Sequence, residues 1–345
     1  MISIVIPCLN EVDFIDGTLS SLMASEAPGL DWEVIVVDGG SDDGTRDRLT
    51  HWAGREPQVR WLDNPARVTP IAMNLGIEAA RGEWVLILGA HSEVAPDFLK
   101  RNAEAMRAHP ESACVGGVVE QVHGSRAARR IGAALSTPFG VGDARFRTGG
   151  PPGHVDTVAF GCYRKEALNE IGCFDEDLIR NQDDELNFRL TEAGWRIWFD
   201  PRIRSRYHVR TSFAKLYRQY RQYGFWKVFV NRKHKTITTW RQTIPALFLL
   251  TLGATGLWWG LDAAGKVGLA WTGVGRSLFV SALTLWVLGA VGSAWSVAEK
   301  PSDIPGVIRA FLWIHVGYGW GYLMGIGRFL ILQGSPPERA AQLTR

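Results

Sequence analysis

Cysteine is scarce in this chain of 345 residues: Cys8, Cys114, Cys162 and Cys173 are scattered, with no CxxC pair. That spacing excludes a cysteine-based zinc site. A disulfide framework is not expected at this length, and a reducing, cytosolic setting is the reading. Acid is missing from residues 201–241, where twelve Lys or Arg meet no Asp or Glu. Asp, Glu, Lys and Arg are all missing from 243–261, 277–297 and 310–327. No basic region precedes the first apolar run, so no secretory leader is expected, which argues against a soluble secreted carbohydrate-binding protein. Internal repeats and low-complexity tracts are absent too. The formal net charge of +3 says little about partners.

What is present reads as strands alternating with helices. In SIVIPCLNE (3–11) a β-branched run, Ile4 to Ile6, closes at Pro7, the pattern of a buried strand meeting a loop. Helical spacing follows through Leu19, Leu22 and Met23. EVIVVDGGSDDGT (33–45) repeats the theme: a strand at Val34–Val37, then Asp38, a Gly-rich turn and a helix start where Asp43 serves as a cap. Further strands are expected at Val59–Leu62, Trp84–Leu88 and 116–121. Helices are expected at Pro70–Ala80, Arg164–Ile171 and Asp183–Ala193, the last closed by Gly194. The Gly/Pro-rich stretch 142–154 reads as a mobile loop. This alternation implies a mainly parallel α/β sheet, whose ligands bind at the carboxyl ends of the strands. Asn10, Glu11, Asp38 and the loop Gly89-Ala90-His91 all fall there.

The C-terminal third is long and apolar enough for about three membrane helices, at 243–261, 277–297 and 310–331, since a span needs about 20 residues. A fourth, partial segment at 267–275 stays open. The basic run ahead of them places the N-terminal domain in the cytoplasm by the positive-inside rule. In TSFAKLYRQYRQYGFWKVFVNRKHK (211–235), aromatic residues interleave with cations. Directly before a span this reads as an interfacial helix on anionic lipid rather than a nucleic-acid site. Its cations could also hold a diphosphate.

In NQDDELNFRL (181–190) three acids open a helix, where the dipole favours negative charge. Glu185 and Arg189, four apart, read as a surface pair. Asp183 shares a face with Leu186, Asn187 and Leu190. If the leucines face the core, Asp183 stands at the edge of a cleft, suited to a general base.

Taken together, SIVIPCLNE, EVIVVDGGSDDGT, PIAMNLGIEAARGEW (70–84) and FGCYRKEALNEIGCFDEDLIRNQDDELNFRL (160–190) resemble glycosyltransferase family 2, most closely its membrane-bound ExoA-like branch of exopolysaccharide enzymes. The resemblance covers nearly the whole chain. It implies a GT-A fold, α/β with a mainly parallel sheet, over 1–205. A basic, aromatic interfacial region follows over 206–241, then a transmembrane region over 242–333 and a tail over 334–345. The activity it implies is inverting transfer from a nucleotide diphosphate sugar to a polyprenyl-diphosphate-linked glycan, in surface or exopolysaccharide biosynthesis. The setting is the plasma (inner) membrane, multi-pass, with membrane lipids as partners and no nucleic acid. The donor sugar, the acceptor linkage and the oligomeric state are not specified.

Carried onto this chain, the resemblance makes Asp183 the catalytic base. It assigns Pro7, Asn10, Glu11, Asp38, Asn74, Gly89 and Ala90 to the nucleotide sugar. Gly161, Cys162, Gln182, Asp184 and Glu185 go to the acceptor side, and Arg206, Arg210 and Trp226 to the phosphate or lipid side. Two departures stand out. The Gln-x-x-Arg-Trp motif of processive synthases reads Gln222-Tyr-Gly-Phe-Trp226, which argues against processivity. The Asp-x-Asp metal motif, Asp-Ala-His in the ExoA-like branch, reads Gly89-Ala90-His91. His91 becomes the metal ligand for Mn²⁺ or Mg²⁺, and an imidazole shifts the preference towards Mn²⁺. Glu93 is a weaker substitute for the lost charge. Two other expectations follow from Gly89: a metal-free transferase using Arg206 or Arg210, or a catalytically impaired GT-A subunit that only binds.

Overall fold

The computed structural model describes residues 1–27, 29–208, 212–266 and 271–335. In chain order the elements are β1 (Ile2–Cys8), α1 (Ile15–Met23), β2 (Trp32–Asp38), α2 (Thr45–Arg55), β3 (Val59–Asp63), α3 (Thr69–Ala79), β4 (Trp84–Ile87), β5 (Ser92–Val94) and α4 (Phe98–Ala108). Next come β6 (Ser112–Val122), α5 (Arg126–Leu135), α6 (Pro138–Val141), α7 (Arg145–Thr148), β7 (Gly153–His154), β8 (Ala159–Arg164), α8 (Lys165–Ile171), α9 (Gln182–Glu192) and β9 (Arg196–His208). Four long helices complete the chain: α10 (Phe213–His234), α11 (Ile244–Ala263), α12 (Val274–Val297) and α13 (Ile304–Gly325). They fall into two compact units, 1–122 with 143–208, and 123–142 with 209–345.

The first unit is built on a nine-stranded sheet in the order β3-β2-β1-β4-β8-β6-β9-β5, with β7 beside β9. β3, β2, β1 and β4 run parallel. β8 runs antiparallel to β4 and β6. The parallel strands are apolar on both faces because helices cover both: Ile2, Ile4 and Ile6 enter one core, and Val5, Ile35 and Val37 the other. Pro7 has no N–H to donate, yet it sits in the central strand. It is tolerated because the β1–β4 ladder ends at Val5↔Ile87, two residues earlier. The expected loop at 142–154 contains α7 and β7, and β7 adds to the sheet against Trp198 and Phe199.

In the second unit, α10 and α13 pack closely. A Cβ on Gly321 would run into the Arg221 carbonyl, one on Gly317 would meet the Tyr217 carbonyl at 2.9 Å, and one on Gly325 the Phe225 carbonyl at 2.8 Å. Glycine every fourth residue is what lets two helix backbones approach this far. α10 buries Leu216, Trp226, Lys227 and Val230 on one face and exposes Lys215, Arg218, Arg221 and Arg232 on another. Trp226, expected on the phosphate or lipid side, is 1% exposed. Two helical stretches, Trp240–Ala263 and Val274–Val297, are long and apolar enough to cross a membrane. They expose Leu250, Leu257, Leu285 and Leu288. The third expected span starts earlier than 310, carries Arg309 and turns its glycine face onto α10. Of the partial segment at 267–275, residues 267–270 lie outside the described residues and α12 takes up the remainder from Val274. Trp286 Nε1 donates to His315 Nδ1 at 2.8 Å, which leaves the His315 proton on Nε2, 2.8 Å from the Phe139 carbonyl.

Candidate active site

Asp38 ends β2 and is buried. Its Oδ2 accepts from the backbone N–H groups of Gly40 and Ser41, both at 3.0 Å, and from Arg46 Nε at 2.7 Å. The Ser41 hydroxyl donates to Oδ1. Burial pushes this carboxyl up, but the bonds from Ser41, Arg46 and Gly40 outweigh it and hold the group below the usual carboxylate range. Arg46 also pairs with Asp63 at the end of β3. Asp38 thus shapes the Gly-rich turn from below, with both oxygens engaged by the protein. Asp43 accepts from the N–H of Thr45, the first residue of α2, and of Val12.

Beside this turn stands the loop after β1. Asn10 has a left-handed backbone, φ 56°. Its N–H donates to Ser41 Oγ at 2.7 Å and its Oδ1 accepts from Asp42 N–H at 2.9 Å. Glu11 donates its N–H to Thr45 Oγ1 at 2.9 Å and directs its carboxylate at His91, Oε1 to Nδ1 3.3 Å. Ala90 is buried, and its carbonyl accepts from Thr18 Oγ1 at 2.8 Å. The His91 ring is flanked by Tyr207, centroids 5.1 Å apart, and Phe14 at 6.3 Å. A Cβ on Gly89 would sit 3.2 Å from Ser92 Oγ and 3.4 Å from the Phe160 ring. That serine hydroxyl is buried without a hydrogen-bond partner among the described residues.

α9 brings its three acids to different fates. Leu186 and Leu190 are buried, as the spacing predicts, and Asp183 is exposed at the first turn. One turn on, Asn187 Nδ2 donates to Thr157 Oγ1 at 3.0 Å. Thr157 precedes β8, whose start lies beside the carboxyl end of β4, so the bond ties the head of α9 to the ligand-binding edge of the sheet. Glu185, expected as a surface pair lining the acceptor side, is instead 1% exposed. It holds Arg189 through two bonds of 2.8 Å, and Arg189 in turn donates to the carbonyls of Ile171 and Cys173. Gln182 is spent on the Ile179 carbonyl at 3.1 Å. Asp184 is half-buried beside it.

Other assigned residues also make contacts within the protein. Cys162 lies in the core, where burial pushes its thiol up to about 12. A Cβ on Gly161 would strike Cys114 Sγ at 2.6 Å, so this position is fixed by packing. Asn74 brackets residue 174, accepting from its N–H at 3.0 Å and donating to its carbonyl at 2.9 Å, with Glu176 Oε1 also at 3.0 Å. Arg206 pairs with Glu120 at 3.5 Å. Arg210 lies outside the described residues. Arg46, Tyr207 and Ser92 went unnoticed in the sequence. Arg46, eight residues past Asp38, had a readable signal in its charge. Tyr207 and Ser92 depend on the β5–β9 pairing, Ser92↔Tyr207, between segments too far apart for local spacing to reveal.

Among the described residues no three His, Cys, Asp or Glu converge as a metal cluster. His91 and Glu11 offer one imidazole and one carboxylate. Such a pair fits a divalent cation that completes its shell with phosphate oxygens and water.

The family model for glycosyl transferase family 2 matches residues 3–172. Succinoglycan biosynthesis protein ExoA of Rhizobium meliloti (strain 1021) is 32% identical over 70% of this chain and 73% of its own. A dolichyl N-acetyl-alpha-D-glucosaminyl phosphate 3-beta-D-2,3-diacetamido-2,3-dideoxy-beta-D-glucuronosyltransferase of Methanococcus voltae is 31% identical over 74% and 82%. Among solved structures, the mannosyltransferase PcManGT of Pyrobaculum calidifontis, in complex with GDP-Man and Mn²⁺, superposes with a TM-score of 0.54 at 16% identity, covering 94% of this chain and 86% of that one. That likeness speaks for the GT-A fold. With two relatives above 30% identity and the family model over the sheet domain, the chain belongs to glycosyl transferase family 2 and is a glycosyltransferase of polysaccharide or glycan biosynthesis.

Proposed function

We propose that this enzyme is a membrane-anchored, inverting transferase that moves one sugar from a nucleotide diphosphate sugar onto a polyprenyl-diphosphate-linked glycan, with residues 1–205 in the cytoplasm. The observation that carries the donor side is the convergence of Asn10–Glu11, Asp38–Ser41 and Ala90–His91 at neighbouring strand ends. The acceptor class draws support from the Methanococcus voltae relative, whose name describes transfer onto the sugar of a dolichyl N-acetylglucosaminyl phosphate, a lipid-linked acceptor. The two exposed apolar helices support an anchor.

In this reading the acceptor hydroxyl attacks the anomeric carbon opposite the diphosphate. Its proton passes to an Asp183 carboxylate oxygen as the new C–O bond forms. The old C–O bond breaks with its electron pair leaving on the diphosphate, so the centre inverts. A bound divalent cation supplies neutralisation of that leaving group. Asp183 stands in the first turn of α9, at the positive end of the helix dipole.

The test is a panel of nucleotide sugars offered to membranes holding the enzyme, following label into the lipid fraction with and without Mn²⁺. Label in lipid is expected, and efficient transfer to free soluble sugars would overturn the acceptor class. A second reading, a binding subunit without turnover, is favoured by Gly89 alone, and Gly89→Asp addresses it. Its backbone is not in the left-handed region, and the new carboxylate would meet the orphaned Ser92 hydroxyl. A carboxylate at position 89 adds negative charge and an oxygen ligand beside the cation, so in calorimetric titrations with a nucleoside diphosphate present Mn²⁺ affinity is expected to rise. Unchanged affinity would show that this corner of the pocket no longer serves the metal.

A further inference from the structure

Gly89 removes an acid from the metal motif, yet a carboxylate stands at the site from another strand end. β1 and β4 are adjacent parallel strands, paired from Ile2↔Trp84 to Val5↔Ile87, so the loops that follow them open side by side. Both loops are fastened. The Glu11 N–H is held by Thr45, and the Glu11 carbonyl accepts from the N–H groups of Phe14 and Ile15, each at 2.9 Å. On the other loop, the carbonyl of Ala90 is held by Thr18. Between them Glu11 Oε1 and His91 Nδ1 are 3.3 Å apart. Two ligand atoms each about 2.1 Å from one ion and at right angles are about 3 Å apart, so the pair is spaced for neighbouring positions around a single cation. Both side chains are also largely sheltered, 13% and 34% exposed, with the Tyr207 and Phe14 rings beside the imidazole.

We propose that Glu11 and His91 together ligate the divalent cation, Glu11 taking over the charge that position 89 lacks. The assignment rests on the donor reading above. It has two consequences. One carboxylate in place of two leaves the free protein a weak cation site, which a nucleoside diphosphate strengthens by adding its own oxygens. The mixed nitrogen and oxygen pair also favours Mn²⁺ over Mg²⁺, because imidazole is the softer ligand.

The test titrates Mn²⁺ into the full chain in detergent, reading free Mn²⁺ by electron paramagnetic resonance, alone and with UDP or GDP. Glu11→Gln keeps an oxygen for His91 to face but removes the charge, and His91→Gln removes the imidazole. Each is expected to weaken nucleotide-supported Mn²⁺ binding at least about tenfold, as loss of a metal-site group does. Native unfolding midpoints identify variants that remain folded. UDP and GDP binding is measured separately in EDTA. If a nucleotide binds and Glu11→Gln holds Mn²⁺ as tightly as the native chain, the ligand assignment is overturned while the transferase reading stands. If neither nucleotide binds the native chain with or without Mn²⁺, the donor reading falls and the assignment with it.

Discussion

Asp183→Asn is expected to lower sugar transfer by about 10²- to 10⁴-fold, the contribution typical of a positioned general base. The variant keeps the shape of the side chain and loses only its ability to accept a proton. Asp183 is exposed, and its contact with the α9 dipole contributes about 0.3–1 kcal/mol to stability. Folding and nucleotide binding should therefore hold while turnover falls. Initial rates of label entering the lipid fraction, set beside an unfolding curve, separate the two effects. Undiminished turnover would remove Asp183 from the chemistry. Native turnover that vanishes in the variant would dispose of the non-catalytic reading.

Two residues along the same helix turn the expectation reverses. Glu185→Ala leaves the partly buried Arg189 guanidinium without its carboxylate, and losing hydrogen bonds between charged groups costs about 1.5–3 kcal/mol. Arg189 also holds the carbonyls of Ile171 and Cys173, so the damage spreads to the end of α8 and the segment that follows it. Against a total stability of about 5–15 kcal/mol, this is a large fraction. Urea unfolding monitored by the tryptophans of the sheet domain should show the midpoint falling. An unchanged midpoint would mean that the pair is solvated.

These neighbours show where the sequence could be read and where it could not. The parallel strands and their carboxyl-end loops were legible because they are continuous apolar runs closed by Pro7, Asp38 and Gly89. The face of α9 was legible because Leu186 and Leu190 recur at helical spacing. Spacing could not tell that Glu185 would be covered, since the carbonyls that share its partner Arg189 lie at Ile171 and Cys173, outside the helix. Nor could spacing show the bonds of Asn74 to residue 174, a hundred positions away. The α10–α13 contact could have been found. Gly317, Gly321 and Gly325 repeat every fourth residue, a spacing that favours close packing of two helices.

The clasp of Arg46 across the ends of β2 and β3 has a thermodynamic consequence. A floor whose carboxylate, hydroxyl and guanidinium already hold one another has lost its rotamer freedom when the chain folds, not when a ligand arrives. Ordering a mobile side chain on binding costs about 0.5–1.5 kcal/mol, and here that cost has been met in advance. Specificity at this end of the sheet is thus a matter of fit to a fixed surface.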